Sequence, residues 1–182
     1  MRLSSKLAAA LTVALTVALA PAGAVVPPKG GEAVKSKYTT ESLLLGATRA
    51  GKRVVAVGEY GNIVLSDDDG KTWRQAQKVP STVTLTAVAF VDEKTGWAVG
   101  HDKLILQTQD GGETWVKQFG GGESDNALLS VFFKSPTNGF AVGAFNYTVE
   151  TTDAGKTWVE RKTLMPPPPE SPPPPAASRG SD

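Results

Sequence analysis

Short apolar runs, separated by polar and glycine-rich stretches, make up most of the chain between residues 43 and 165. One part shows the pattern clearly, with runs at Leu85–Val91, Trp97–Gly100, Leu104–Thr108 and Thr114–Gln118. These runs are short and rich in β-branched and aromatic residues, and no window has the periodicity of an amphipathic helix. The pattern therefore predicts an all-β domain made of four-stranded antiparallel sheets.

This four-strand pattern occurs three times along the chain. The three units are Leu43–Trp73, Leu85–Trp115 and Leu128–Trp158. An aspartate near the end of each unit and a glycine near its middle recur together, at intervals of 42 and 43 residues. These residues are Asp68, Asp110 and Asp153, and Gly58, Gly100 and Gly143. Four short strands in about 42 residues are typical of one β-propeller blade, so we predict three tandem blades over residues 43–165.

Each unit carries the motif S/T-x-D-x-G-x-T-W, an Asp-box, between its third and fourth predicted strands. In such a tight turn the aspartate accepts hydrogen bonds from backbone N–H groups, and the glycine supplies a positive φ. The tryptophan then packs on a neighbouring sheet. We interpret the motif as structural and predict no catalytic residue, metal or cofactor, since the ligands that complete a calcium loop are absent. Its residues are Ser66, Asp68, Gly70, Thr72 and Trp73, then Thr108, Asp110, Gly112, Thr114 and Trp115, and finally Thr151, Asp153, Gly155, Thr157 and Trp158.

A binding surface is predicted on the rim opposite the Asp-boxes. In an up-and-down blade, the turns between the second and third strands lie at the other end from the turns between the third and fourth. These turns differ in sequence from blade to blade, as the loops of a binding surface do on a rigid scaffold. An alternative interpretation is that they are unconstrained surface loops. The candidate binding residues are Glu59, Tyr60, Asn62, His101, Asp102, Lys103, Phe145, Asn146 and Tyr147.

Both ends of the chain have a composition unlike that of the predicted blades. Residues 1–24 combine a basic start, an apolar stretch and the A-x-A sequence Ala22–Ala24. This combination predicts a signal peptide cleaved after Ala24 and export to the periplasm or the cell exterior. Residues 25–42 are a lead-in segment, and residues 166–182 form a proline-rich tail with the composition of a disordered spacer.

Composition narrows the function classes further. The chain contains no cysteine, so its stability is expected to come from packing without disulfides. Without residues 1–24 it has 17 basic and 18 acidic residues, a balance that argues against nucleic-acid binding. His101 next to Asp102 resembles an acid–base pair, but no nucleophile or second carboxylate is spaced to complete a catalytic site.

The sequence Gly96–Trp115, with its G-W-A-V-G step followed by I-L-x-T-x-D-G-G-x-T-W, resembles the Asp-box (BNR-like) propellers related to the photosystem II assembly and stability factors. The resemblance extends from Leu43 to Trp158. It implies a non-enzymatic, exported interaction or scaffold protein that assists the assembly or stability of a membrane or envelope complex, with a protein partner or self-association. Alternatives are a sialidase-like hydrolase, a glycan-binding lectin or a truncated, non-functional fragment, since sialidases also carry Asp-boxes.

Three blades are fewer than a closed propeller usually has. We therefore expect exposed blade faces, which are usually association surfaces. Three explanations stay open at the sequence level: a head-to-tail dimer forming a six-bladed ring, a truncated relative of larger propellers, or packing against another protein. The segment Glu32–Thr40 is expected to add a strand to the last blade.

Overall fold

The computed structural model describes residues 31–122 and 124–161. The predicted signal peptide, its cleavage site, the start of the lead-in segment and the proline-rich tail lie outside the described residues. Residues 162–165, at the end of the predicted blade domain, lie outside them too. No helix in the described part of the chain has the length and apolar character needed to cross a membrane.

The described residues form three four-stranded antiparallel sheets, so the all-β prediction of three tandem blades is confirmed. Each sheet has its strands in chain order, as in an up-and-down propeller blade. The strands of blade 1 are β1 Leu44–Ala50, β2 Arg53–Gly58, β3 Ile63–Ser66 and β4 Arg74–Gln75. Those of blade 2 are β5 Leu85–Phe90, β6 Gly96–Gly100, β7 Ile105–Thr108 and β8 Val116–Phe119. Those of blade 3 are β9 Leu128–Phe133, β10 Gly139–Gly143, β11 Thr148–Thr151 and β12 Val159–Arg161.

The blades stack face to face, and two apolar cores fill the spaces between them. The first core joins Val55, Val57 and Leu65 of blade 1 to Leu106 and Trp115 of blade 2. Because side chains alternate between the faces of a strand, blade 2 directs its other set of residues towards blade 3. The second core accordingly contains Trp97, Val99 and Ile105 of blade 2 together with Leu128, Val131, Ala141, Val149 and Trp158 of blade 3.

The repeated glycine of each A-V-G step lies where the innermost strand comes closest to the second strand. A Cβ atom built on Gly58 would lie 1.9 Å from the carbonyl oxygen of Leu43. The same construction on Gly100 and Gly143 gives 2.1 Å to the carbonyl oxygens of the corresponding residues, Thr84 and Ala127. No side chain fits at these positions. The repeated glycine is therefore explained by a close contact with the backbone of the innermost strand, which occurs once in each blade.

The lead-in segment packs on blade 1, so its expected pairing with the last blade is wrong. The side-chain amide of Gln75 donates to the Val34 carbonyl at 3.0 Å and accepts from the Ser36 amide at 3.2 Å. Further along the segment, the Asn62 side chain donates to the Thr39 carbonyl at 2.7 Å. These polar contacts hold residues 34–39 against the first sheet.

The strand register shows which face of blade 1 the lead-in segment covers. Gln75 pairs with Val64, and paired residues share one face of a sheet. Val64 corresponds to Leu106 of blade 2, which faces the preceding blade, so Gln75 and Val64 face away from blade 2. Val64 is fully buried although no blade among residues 31–122 and 124–161 stacks on it. The lead-in segment therefore covers the outer face of blade 1 around Gln75.

Candidate functional site

The three stacked blades form an arc, and its two rims hold different kinds of loop. On the first, which we call the Asp-box rim, the Asp-boxes lie beside the turns between first and second strands. There the Gly111 amide donates to the Lys94 carbonyl at 2.9 Å. On the second, the turn rim, the turns between second and third strands lie beside the links between blades. There the Lys103 amide donates to the Asn126 carbonyl at 3.0 Å.

Each Asp-box aspartate makes the same set of hydrogen bonds. Asp153 accepts from the Thr157 amide at 2.9 Å, from the Thr157 hydroxyl at 2.6 Å and from the Thr151 hydroxyl at 2.8 Å. The Gly155 amide in turn donates to the Thr151 hydroxyl oxygen at 2.9 Å. These bonds, those from Thr157 foremost, lower the pKa of Asp153 to about 2. The carboxylate is saturated by its own turn, which leaves it poorly suited to catalysis.

The other two boxes repeat this geometry. The pKa of Asp68 is lowered by hydrogen bonds from the Thr72 hydroxyl and amide. Burial raises the pKa of Asp110, but the hydrogen bonds from Thr114 and Thr108 outweigh it and the net shift is downward. In both boxes the tryptophan indole donates to the glycine carbonyl, at 3.0 Å in the first and 2.9 Å in the second.

An ion-pair cluster on the Asp-box rim joins blade 1 to blade 2. Arg53 donates to Asp67 at 2.6 Å within blade 1 and to Glu113 of blade 2 at 3.0 Å. Arg74 makes two hydrogen bonds with Glu113, at 2.8 and 2.5 Å. The hydrogen bond from Arg74 is the main cause that lowers the pKa of Glu113, against the opposing effect of partial burial. These charges satisfy one another, so the cluster is best explained as an inter-blade contact.

The turn rim carries backbone strain in all three blades. Its turns have two central residues with positive φ, the arrangement of a type I′ hairpin turn that favours asparagine and glycine. Tyr60 has a φ of 54° and Phe145 a φ of 55°. In the second blade Asp102 and Lys103 have φ values of 55° and 57°. A left-handed conformation costs about 1–2 kcal/mol in a residue with a side chain, so bulky residues here oppose folding.

Six predicted rim residues have accessible side chains. Phe145 is 85% exposed and Tyr60 is 45% exposed, which is high for aromatic residues. His101 and Asn146 are exposed, and Asp102 and Lys103 are half-buried. Lys103 lies over the Tyr147 ring, with its Nζ 4.4 Å from the ring centre. The rim thus presents two aromatic rings and several polar groups to the solvent.

The other three predicted rim residues serve the fold, and the expectation that they face a ligand is wrong for two of them. Asn62 is buried because its side chain holds the lead-in segment. Tyr147 is buried in the core between blades 2 and 3. Glu59, which is half-buried, accepts a hydrogen bond from the Leu43 amide at 2.9 Å.

Sequence reasoning missed two exposed apolar residues near the turn of blade 1. Leu43 is 57% exposed and Tyr38 is 55% exposed. In the structure Leu43 corresponds to Thr84 and Ala127, whose carbonyls approach the equivalent glycines of the other blades. The repeat period aligns Leu43 with Leu85 and Leu128 instead, so it does not reveal this exposed position. The position of Tyr38 depends on how the lead-in segment folds back, which the repeat pattern does not predict.

The described residues contain no assembled catalytic or metal site. No group of three or more His, Asp or Glu residues among them is arranged to hold a metal ion. Over the same residues, no hydrogen bond or ion pair joins the side chains of His101 and Asp102. The Glu59 carboxylate is engaged by the backbone.

Residues 75–126, from the end of blade 1 through blade 2, match the protein-family description "Photosynthesis system II assembly factor YCF48". This part of the chain is homologous to the YCF48 family. Photosystem II assembly protein Ycf48 of Thermosynechococcus vestitus is 38% identical over 47 residues, which are 26% of this chain and 13% of that protein. The Ycf48 assembly lipoprotein of Prochlorococcus marinus is 38% identical over 50 residues, 28% of this chain and 14% of that protein.

Two solved YCF48 structures resemble the arc of three blades. YCF48 bound to D1 peptide has a TM-score of 0.57 at 21% identity, covering 65% of this chain and 40% of that one. YCF48 from Cyanidioschyzon merolae has a TM-score of 0.55 at 22% identity, covering 66% of this chain and 37% of that one. At this identity the likeness shows the β-propeller fold. The chain spans less than half the length of these YCF48 proteins.

Proposed function

We propose that this chain is a non-enzymatic, exported protein that assists the assembly or stability of a membrane complex by binding a protein segment on its turn rim. The observation that carries the proposal is the pair of exposed aromatic residues in left-handed turns. Tyr60 and Phe145 have positive φ and exposed rings. Strain of this kind is retained at functional sites, where the side chain contributes something other than stability.

The homology supports the same class of function. The YCF48 relatives are photosystem II assembly proteins, and one solved YCF48 structure is bound to a D1 peptide. A protein segment is therefore the class of ligand favoured for this rim. Aromatic side chains suit such a ligand because they contribute a large contact area with few rotatable bonds.

Site-specific photo-crosslinking in the native host tests the proposal. A photoreactive phenylalanine analogue is placed at Tyr60 or at Phe145, and as a control at Val116, which is 61% exposed on the outermost strand of blade 2. We expect both rim positions to crosslink to one membrane-protein subunit, through a segment on the non-cytoplasmic side. Val116 should give no such product.

Two results would overturn the proposed function. One is the absence of any rim-specific crosslink to a membrane protein. The other is turnover of a glycoside by the purified chain that is lost when Glu59 or Asp102 is replaced, because this would favour the sialidase-like alternative.

A further inference from the structure

Blade 3 has an outer face built like the faces that join the blades. Phe132, Phe140 and Val142 occupy the positions that Ala89, Trp97 and Val99 occupy in blade 2, by the register of the paired strands. In blade 2 these residues pack against the next blade. In blade 3 Phe132 is 61% exposed and Val142 is 37% exposed. No strand in residues 31–122 and 124–161 stacks on this face.

The outer face of blade 1, at the other end of the arc, is not free to pack against the outer face of blade 3. A head-to-tail ring would place blade 3 of one copy on the outer face of blade 1 of another. The lead-in segment lies on that face, held by both polar atoms of the Gln75 side chain. The six-bladed ring considered from the sequence is therefore blocked, and the part of each copy that the structure describes has one open blade face.

The charges around the open face suit contact with a copy of itself. Glu150, on β11, forms an ion pair with Arg161 at 2.6 Å. Arg161 and Lys134 lie over the Phe140 ring, 5.9 and 5.7 Å from its centre. An apolar centre with both signs of charge at its border is self-complementary under a two-fold axis. Contact between identical faces closes after two copies.

We propose that two copies of the chain associate through the outer faces of blade 3 and form a two-fold symmetric dimer. The contact buries Phe132 and Val142, two exposed apolar residues of the face. The proposal does not depend on the rim function, because it rests on the sheet face of blade 3, whereas Tyr60 and Phe145 belong to turns at the rim.

Light scattering of the mature, full-length chain tests the proposal through its molar mass. We expect twice the chain mass at micromolar concentration. Phe132→Asp should give a monomer, because it places a carboxylate at the centre of the contact. Val116→Asp is the matched control, since Val116 is also 61% exposed but lies on blade 2, and it should leave the mass unchanged.

Folding of each variant is checked by circular dichroism and thermal unfolding. If Phe132→Asp fails to fold, Ser130→Arg adds bulk and charge at an exposed polar position paired with Val142 on the same face. A monomeric wild-type chain overturns the proposal and shows that another segment or another protein covers the face. A dimer that persists in both folded variants overturns it too.

Discussion

At the residue scale, local hydrogen bonding was easier to predict than contacts between distant residues. The Asp-box turn follows from the motif because its donors and acceptors lie within a few residues of one another, as in Thr151–Thr157. The requirement for glycine at position 58 cannot be predicted from neighbouring residues. It depends on the carbonyl of Leu43, which belongs to another strand, so the sequence reveals the glycine period without its cause.

Replacing Gly100 by alanine should destabilise the fold. The new Cβ would lie 2.1 Å from the Thr84 carbonyl oxygen, and the strands must separate to accept it. We expect the free energy of unfolding to fall by about 1–3 kcal/mol, measured by urea denaturation. Gly122→Ala is the control, because nothing lies within 4 Å of its added carbon, and it should change stability by less than about 0.5 kcal/mol. Equal effects would contradict the close-contact explanation.

The Asp-boxes should make stability depend on pH in the acid range. The pKa of Asp153 falls from 3.8 to about 2 in the fold. Because the folded-state pKa is the lower one, the carboxylate stabilises the fold fully above about pH 4, and this contribution is lost as the pH falls towards 2. Asp153→Asn should therefore reduce the slope of unfolding free energy against pH in this window, as measured by denaturant titrations. The exposed neighbour Thr152 serves as a control in Thr152→Ala, and an unchanged slope in Asp153→Asn would count against the assignment.

At the element scale, each Asp-box tryptophan depends on the blade before it. Trp115 packs in the same core as Val55 and Leu65 of blade 1 and is 2% exposed. Trp73 holds the same motif position in blade 1, where no blade precedes it among the described residues, and is only half-buried. The sequence predicts packing on a neighbouring sheet for all three tryptophans. It does not distinguish the first from the others, because the difference arises from position in the arc.

The two tryptophans should therefore respond differently to truncation. Trp115→Ala removes a fully packed indole, and we expect the free energy of unfolding to fall by about 3–5 kcal/mol. Trp73→Ala removes the same group from a half-exposed site and should cost clearly less. Urea denaturation of both variants measures the difference. Equal losses would contradict the dependence on a preceding blade.

At the scale of the whole molecule, the three described blades form an arc with a closed end at blade 1 and an open face at blade 3. The number of blades was predictable because it follows from a period that two markers share. The closure of blade 1 was not, because it depends on contacts between residues far apart in sequence, such as Val34 and Gln75. Within the described residues, the open face of blade 3 and the accessible turn rim are the two surfaces to which we assign partners.

The positions of the rim residues were predictable only in part. Strand direction predicts that the turns share one rim, and the structure places them there. Which side chains face the solvent depends on packing around each turn. Asn62 and Tyr147 are drawn into the fold by the lead-in segment and by the core, whereas Phe145 is left 85% exposed.

The most direct test of the turn rim as a binding surface replaces both exposed rim aromatics at once, as Tyr60→Asn and Phe145→Asn. Asparagine tolerates the left-handed conformation, so we expect a fold as stable as the wild type or more stable, with loss of the assembled membrane complex on native gels of the host. Val116→Asn should preserve both properties. If the double variant folds and supports assembly as well as the wild type, the turn rim is not the binding surface.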